Sequence, residues 1–243
     1  MTHPLIKTLS TPVFHPVNWE EESVLLHQGH HCLELLRQDG MLRHPPAPQE
    51  RFLRRYKQAL GMAVPLTAFT PIACWFLYQI GWMHGSNRLV GAGTFCALGW
   101  SFLAAGAADR QPGTVESTAL DIDPEATELA QRNLARLTLP GHHETNTAEA
   151  VACLQDGTAP LDLLFLDLDD PEHGKAGYRE AFLAAAPRLS RGACIVAHDG
   201  CCPRFAQDID MLEEAIRTTP GWSLPLRLPV DHAGLLLAFK VTE

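Results

Sequence analysis

Apolar positions change their period along this chain. Over about the first 60 residues they recur every three or four places, as in EEESVLLHQGHHCLELLRQ and PQERFLRRYKQAL, and predict two amphipathic helices separated by the Pro-rich turn RHPPAPQ. From residue 86 onward, short apolar runs alternate with helical periodicity, the pattern of a doubly wound α/β sheet. NRLVGAG predicts a first strand that ends at a glycine turn, and CALGWSFLAAGAA the helix behind it. TVESTALDI, residues 114–122, predicts a second strand closed by DPEATELAQRNLARL. There Asp123 is placed to cap a helix, Pro124 sits where a helix tolerates proline best, and Glu125 and Glu128 favour its first turn. Ala126, Leu129, Ala130, Leu134 and Leu137 then make one apolar face.

LDLLFLD, 161–167, is almost continuously apolar, as a central parallel strand covered on both faces must be, and it ends on a carboxylate. Tyr178, Phe182, Ala186 and Leu189 predict the following helix. GACIVAHD, 192–199, is a second buried strand with a polar end, and SLPLRLPV with GLLLAFKV predicts a closing hairpin. Ligands of open α/β sheets bind at the carboxyl ends of strands, so the polar residues delivered there are the candidates for chemistry. The N-terminal helices, residues 1–65, are expected to form a helical cap over that edge, and residues 66–243 the ligand-binding domain.

Composition narrows the function classes. The chain of 243 residues is 46% hydrophobic and 19% charged, enough apolar surface for a packed core. A formal net charge of -9 and the lack of any extended basic stretch exclude a protein that binds by neutralising phosphate backbones. Arg51, Arg54, Arg55 and Lys57 form one short basic cluster, expected to be a solvated helix face. Seven scattered cysteines, with no C-x-x-C pair and no secretory leader in MTHPLIKTLSTPVF, are expected as reduced thiols of a cytoplasmic protein. Two apolar stretches, 63–83 and 88–107, have the hydropathy of a span, but prolines and polar residues interrupt the first and glycines the second. No membrane segment is expected. His27, His30 and His31 share a helical face without an acidic partner, and Trp75, Phe76, Tyr78 and Trp82 are expected mainly as core.

A glycine turn after the first strand lets backbone approach a ligand, and a carboxylate ending the second strand can accept hydrogen bonds from ribose hydroxyls. Gly91, Gly93 and Asp121 are placed for these tasks, although Cys96 stands where a dinucleotide fingerprint would have its third glycine. From about residue 66 to its end the chain resembles class I S-adenosylmethionine-dependent methyltransferases, closest to the catechol-type small-molecule O-methyltransferases. GAGTFCALGWSFLA is similar to their glycine-rich motif, ALDIDPEATELAQRNL to their ribose-binding motif and NTAEAVACL to the segment bordering adenine. LDLLFLDLDDPEHGKAGY and RLSRGACIVAHDG resemble the strands that end on catalytic or metal-binding residues.

The resemblance implies a Rossmann-like, mostly parallel seven-stranded sheet flanked by helices. It also implies S-adenosylmethionine as cofactor and methyl transfer to a small-molecule acceptor, in a protein that acts alone or as a homodimer. Carried onto this sequence, it puts Gly91, Gly93 and Thr94 against the methionine part, Asp121 on the ribose, and Ile122, Thr147 and Ala148 around adenine. Asp167 then faces the reacting end of the cofactor, with His198 and Asp199 as its catalytic companions; Asp169 and Asp170 shape the loop that follows.

The sequence departs from the resemblance twice. His198 and Asp199 replace an Asp-Asn pair, so the metal stays open: two carboxylates and a histidine can hold a divalent ion softer than magnesium, and a metal-free His198 acting as base fits equally. The position of the acid that pairs with the cofactor's ammonium group is Gly91. Without a carboxylate an amine's pKa is not held up, and it becomes a better internal nucleophile. Two further readings follow: transfer or cyclisation of the aminocarboxypropyl group with release of methylthioadenosine, and a non-catalytic cofactor-binding protein.

Overall fold

The computed structural model describes residues 19–65 and 69–242. Helices α1 (Trp19–Gln38) and α2 (Gln49–Ala59) precede α3 (Pro71–His84), which leads into strand β1 (Arg88–Ala92) and α4 (Leu98–Arg110). Then come β2 (Glu116–Asp121), α5 (Pro124–Leu137), β3 (His142–Thr147), α6 (Ala150–Asp156), β4 (Leu161–Leu166) and α7 (Gly177–Ala185). The chain finishes with β5 (Leu189–His198), α8 (Ala206–Thr218), β6 (Leu226–Leu228) and β7 (Leu235–Phe239). The sheet order is β3-β2-β1-β4-β5-β7-β6, with β7 antiparallel to both its neighbours and every other pairing parallel. Strand order reverses between β1 and β4, which opens the crevice at their carboxyl ends.

Two cores lie on opposite faces of the sheet. One gathers α3, α4 and α5 with Leu33 of α1 and Phe52 of α2, and the other gathers α6, α7 and α8. The apolar face expected for α5 is buried at all five positions, and Asp123 caps the helix through bonds from the Glu125 and Ala126 amides. The principal contacts of α1 and α2 are with α3, α4 and α5. Phe52 meets Trp75, Tyr78 and Phe102 at ring separations of 4.9, 5.8 and 5.4 Å, so the aromatic stripe of α3 is core. His30 accepts a hydrogen bond from the Trp75 indole at 3.0 Å, which gives that histidine a structural role.

Helices α3 and α4 touch through glycines. A β-carbon at Gly81 would lie 2.0 Å from the Leu103 carbonyl oxygen, and one at Gly106 would lie 2.1 Å from that of Tyr78. Among the described residues, no helix is long and apolar enough to cross a membrane.

The structure corrects two expectations and adds a strand that the apolar pattern does not mark. The basic cluster on α2 is not wholly solvated: Arg55 is buried and paired with Asp109, which also accepts a bond from the Tyr78 hydroxyl at 2.9 Å. A buried guanidinium needs such a partner, because an unpaired charge is costly to remove from water. The helix expected to reach Leu189 stops at Ala185, since Pro187 cannot continue it, and Leu189 instead opens β5 opposite Leu161. HHETNT forms β3, a strand with no apolar alternation, because it lies at the sheet edge and pairs only with β2.

Candidate active site

At the end of β1 the chain bends back, and the amides of Gly93 and Thr94 both donate to the Leu120 carbonyl, at 2.9 and 3.1 Å. Gly93 has φ +75, and a β-carbon there would sit 2.6 Å from Leu168 Cα and 2.7 Å from the Asp167 backbone carbonyl oxygen. Only glycine lets the ends of β1 and β4 come this close. Beyond it, Phe95 (φ 44) and Ala97 (φ 59) are left-handed without being glycine, at a cost of about 1–2 kcal/mol each.

Two side chains hold that strained loop. Asp121 Oδ2 accepts the Phe95 amide at 2.8 Å, and Asn133 of α5 donates to the Cys96 carbonyl at 2.9 Å. The Cys96 side chain is buried, so the position of the missing third glycine is a packing residue anchored from α5. Asn133 also exchanges two bonds with Ala63, at 3.0 and 2.9 Å, and is almost fully buried. Within α5 it reads as one polar helix position, and the sequence offers no sign of this role. Asn133→Ala is expected to lower stability by about 1–3 kcal/mol by stranding these backbone groups. It should also weaken ligand binding at the loop; thermal unfolding and calorimetric titration read the two effects, and an unchanged midpoint would refute the anchoring role.

Asp121, Ile122, Thr147 and Ala148 come together at the ends of β2 and β3, where the Ala148 amide donates to the Asp121 carbonyl at 2.9 Å. Asp121 Oδ1 accepts the Asp123 amide at 3.0 Å, so both carboxylate oxygens are held by backbone N–H groups. Ile122 is 72% exposed, an apolar side chain available to one face of a flat ring. Gly91 is buried inside β1, and a β-carbon there would lie 2.7 Å from the Trp100 ring and 2.8 Å from Thr94 Cγ2. The place of a carboxylate at this position is therefore filled by an indole.

The polar cluster lies next to the bend. Asp167 follows β4, and its amide donates to the Ala92 carbonyl at 2.9 Å; His198 ends the adjacent β5. Asp199 has φ +58, a left-handed conformation that aspartate tolerates better than most residues. His198 Nδ1 lies 3.2 Å from Asp167 Oδ1 and 3.5 Å from Asp199 Oδ2. Carboxylates only accept, so Nδ1 carries the proton and Nε2 is the basic nitrogen. Phe69 lies against the His198 ring, with centroids 4.0 Å apart and planes tilted by 32°, and also covers Gly99 at the start of α4.

One member of this cluster was not anticipated. Lys175, 3% exposed, places Nζ 3.1 Å from Asp167 Oδ1 and 3.1 Å from Asp199 Oδ2. It comes from a tight turn in which Asp170 and Gly174 exchange backbone bonds, and its own amide donates to Asp208 at 2.9 Å. Its ammonium also lies over the rings of Tyr178 and Phe205, at 5.4 and 5.3 Å. Asp170 shapes the turn as expected, accepting the Glu172 and His173 amides at 2.8 Å.

Burial disfavours charge on all three titrating partners, yet their mutual attraction prevails. The Lys175 pKa is raised, chiefly by Asp167 with Tyr178, Asp199 and Asp169 adding to it. That of Asp167 is lowered by Lys175 and then His198. That of His198 is raised by Asp167 and then Asp199.

Asp167, His198 and Asp199 bring ligand atoms within 4.8 Å of one another, close enough in spacing for a metal ion. The chemistry of the set does not fit one: a fixed ammonium already bridges the two carboxylates, and the histidine nitrogen facing them is a donor.

A family described as a methyltransferase domain matches residues 92–200. A catechol O-methyltransferase from Niastella koreensis is 25% identical over 140 residues, which are 56% of this chain and 59% of that relative. The match therefore spans less than two thirds of the relative's length. Among solved structures, the O-methyltransferase TomG from Streptomyces achromogenes, in complex with SAM, superimposes with a TM-score of 0.58 at 16% identity, covering 87% of this chain and 96% of that one. The SAH-bound methyltransferase PaMTH1 from Podospora anserina gives 0.60 at 13% identity, covering 93% and 98%.

Proposed function

We propose that this chain is a class I S-adenosylmethionine-dependent methyltransferase and that it transfers the methyl group of S-adenosylmethionine to an oxygen of a small-molecule acceptor. The observation that carries this reading is the pairing of His198 Nδ1 with Asp167 at 3.2 Å, with Asp167 beside the Gly93 bend and Asp121 at the end of β2 on the far side of β1. It gives a histidine whose Nε2 is basic, positioned where the acceptor would meet the cofactor.

S-adenosylmethionine supplies an electrophilic methyl group on a sulfonium. As the acceptor oxygen bonds to the methyl carbon and the carbon–sulfur electron pair returns to sulfur, His198 Nε2 takes the hydroxyl proton. Asp167 holds the imidazole in the tautomer this requires and stabilises the imidazolium that results. Phe69 walls the acceptor side of the ring and suits a planar, hydroxyl-bearing molecule. Gly93, Thr94, Asp121, Ile122, Thr147 and Ala148 are the proposed cofactor contacts.

Incubating the purified protein with S-adenosylmethionine, with and without a panel of phenols and catechols, tests the reading. S-adenosylhomocysteine formed only when an acceptor is present is the expected result. Methylthioadenosine released from the cofactor alone would replace methyl transfer with the aminocarboxypropyl or cyclisation chemistry that Gly91 raises. Cofactor binding without turnover of any kind would favour a non-catalytic protein.

The pH profile follows from the same geometry. The base must be neutral to act, and its pKa is raised, so kcat/KM is expected to rise with pH to a midpoint above 6.5, the ordinary histidine value. Asp199→Asn removes one negative neighbour and should move the midpoint to lower pH. A midpoint that stays put or moves upward would contradict the assignment of His198 as base.

A further inference from the structure

We infer that Lys175 is a built-in cation that takes the place of a divalent metal, so that the Asp167–Asp199 pair is neutralised by the chain itself and the enzyme works without a metal ion. The inference deepens the reading of the same site as a methyltransferase centre and rests on it for the word enzyme; the exclusion of metal rests on geometry alone.

Three observations carry it. First, Nζ bridges the two carboxylates symmetrically, at 3.1 Å from an oxygen of each, where an ion shared by the two would have to sit. Second, the lysine cannot readily swing aside. Its side chain is 3% exposed, its ammonium lies over two aromatic rings, and its backbone is held by Asp208 and by the Asp170–Gly174 turn. Withdrawing the ammonium would break both ion pairs inside a poorly solvated pocket, leaving uncompensated carboxylates. Third, the ammonium and the imidazole already answer the carboxylate charge. Lys175 offsets one of the two carboxylates at rest and the imidazole that becomes cationic during turnover offsets the other, so a divalent ion added there would have to compete with Lys175 for both carboxylates at contact range.

The consequence for the acceptor is specific. A metal would bind two neighbouring oxygens of a substrate at once, and an ammonium engaged by two carboxylates would not. The protein is therefore expected to accept molecules with a single hydroxyl as well as vicinal diols, with orientation supplied by His198 and Phe69.

The test is Mn²⁺ titration of the EDTA-treated protein, followed by loss of the free-ion paramagnetic resonance signal, with S-adenosylmethionine affinity measured on the same samples. Wild type is expected to bind no stoichiometric Mn²⁺, and its methyl transfer to a mono-hydroxyl acceptor should be insensitive to EDTA. Lys175→Met removes the charge at similar length and is expected to gain one Mn²⁺ site, at least ~100-fold tighter than any wild-type binding. Lys175→Arg retains a cation and should exclude the ion as wild type does. A stoichiometric site in wild type that Asp199→Asn abolishes would overturn the inference. So would a Lys175→Met protein that keeps its cofactor affinity but gains no site. Should Lys175→Met fail to fold, the wild-type and Lys175→Arg titrations decide alone. Failure of S-adenosylmethionine to bind at all would strike the functional reading and leave the metal result standing.

Discussion

Replacing His198 by alanine is expected to slow acceptor-dependent formation of S-adenosylhomocysteine by about 10²–10⁴-fold, the contribution of a positioned general base. S-adenosylmethionine affinity should remain unchanged. The asymmetry arises because the imidazole meets Asp167 and Asp199 on one side and Phe69 on its face, whereas the proposed cofactor contacts centre on the glycine loop and Asp121. Calorimetric titration for the cofactor and product chromatography for turnover separate the two. Asp167→Asn should give a related defect, since an amide in place of the carboxylate can favour the wrong imidazole tautomer. It should also disturb Lys175, so His198→Ala is the cleaner experiment. A loss below about 10-fold would mean that the acceptor proton leaves by another route.

The largest structural effect is expected at the crossing of α3 and α4. Gly81→Ala and Gly106→Ala each drive a β-carbon into a carbonyl oxygen of the facing helix, at 2.0 and 2.1 Å in the native geometry. Backbone oxygens cannot rotate away as a side chain would, so the helices must separate and the core between them must loosen. Each change is expected to cost about 2–4 kcal/mol, and Gly→Ala propensity in a helix offsets only about 1 kcal/mol of the gross strain. For a chain of this size that corresponds to about 5–15 °C in the unfolding midpoint. Gly177→Ala is a suitable control, because its β-carbon would meet nothing nearer than 3.4 Å. Equal midpoints for Gly81→Ala and the control would show that the crossing is looser than described.

Elements whose burial is uniform were legible in the sequence. LDLLFLD and GACIVAHD announce strands because both faces are covered, and DPEATELAQRNLARL announces a helix because cap, proline and apolar face agree. HHETNT was hidden because an edge strand outside the cores carries no apolar alternation. Asp167, His198 and Asp199 could be read as strand-end residues, but Lys175 could not. In DDPEHGK it stands among charges that look solvated, and only the Asp170–Gly174 turn carries its side chain inward. Arg55 escaped for the same reason, since its partner Asp109 is 54 residues away in the chain. A sequence displays periodicity, whereas the pairing of two buried charges depends on where distant segments meet.

The indole beside Gly91 has a consequence for anyone redesigning this protein. Restoring an acid at that position by one substitution would place its first side-chain carbon 2.7 Å from the Trp100 ring, so the change should misfold or distort the bend before it could touch a ligand. A smaller residue at 100 alone would open a void without adding charge. The two positions form a lock with two keys: only changed together, Gly91→Asp with Trp100→Ala, and with the Thr94 methyl, 2.8 Å from the new β-carbon, turned aside, can they introduce a counter-ion for an ammonium group, and neither single step lies on a smooth path toward it.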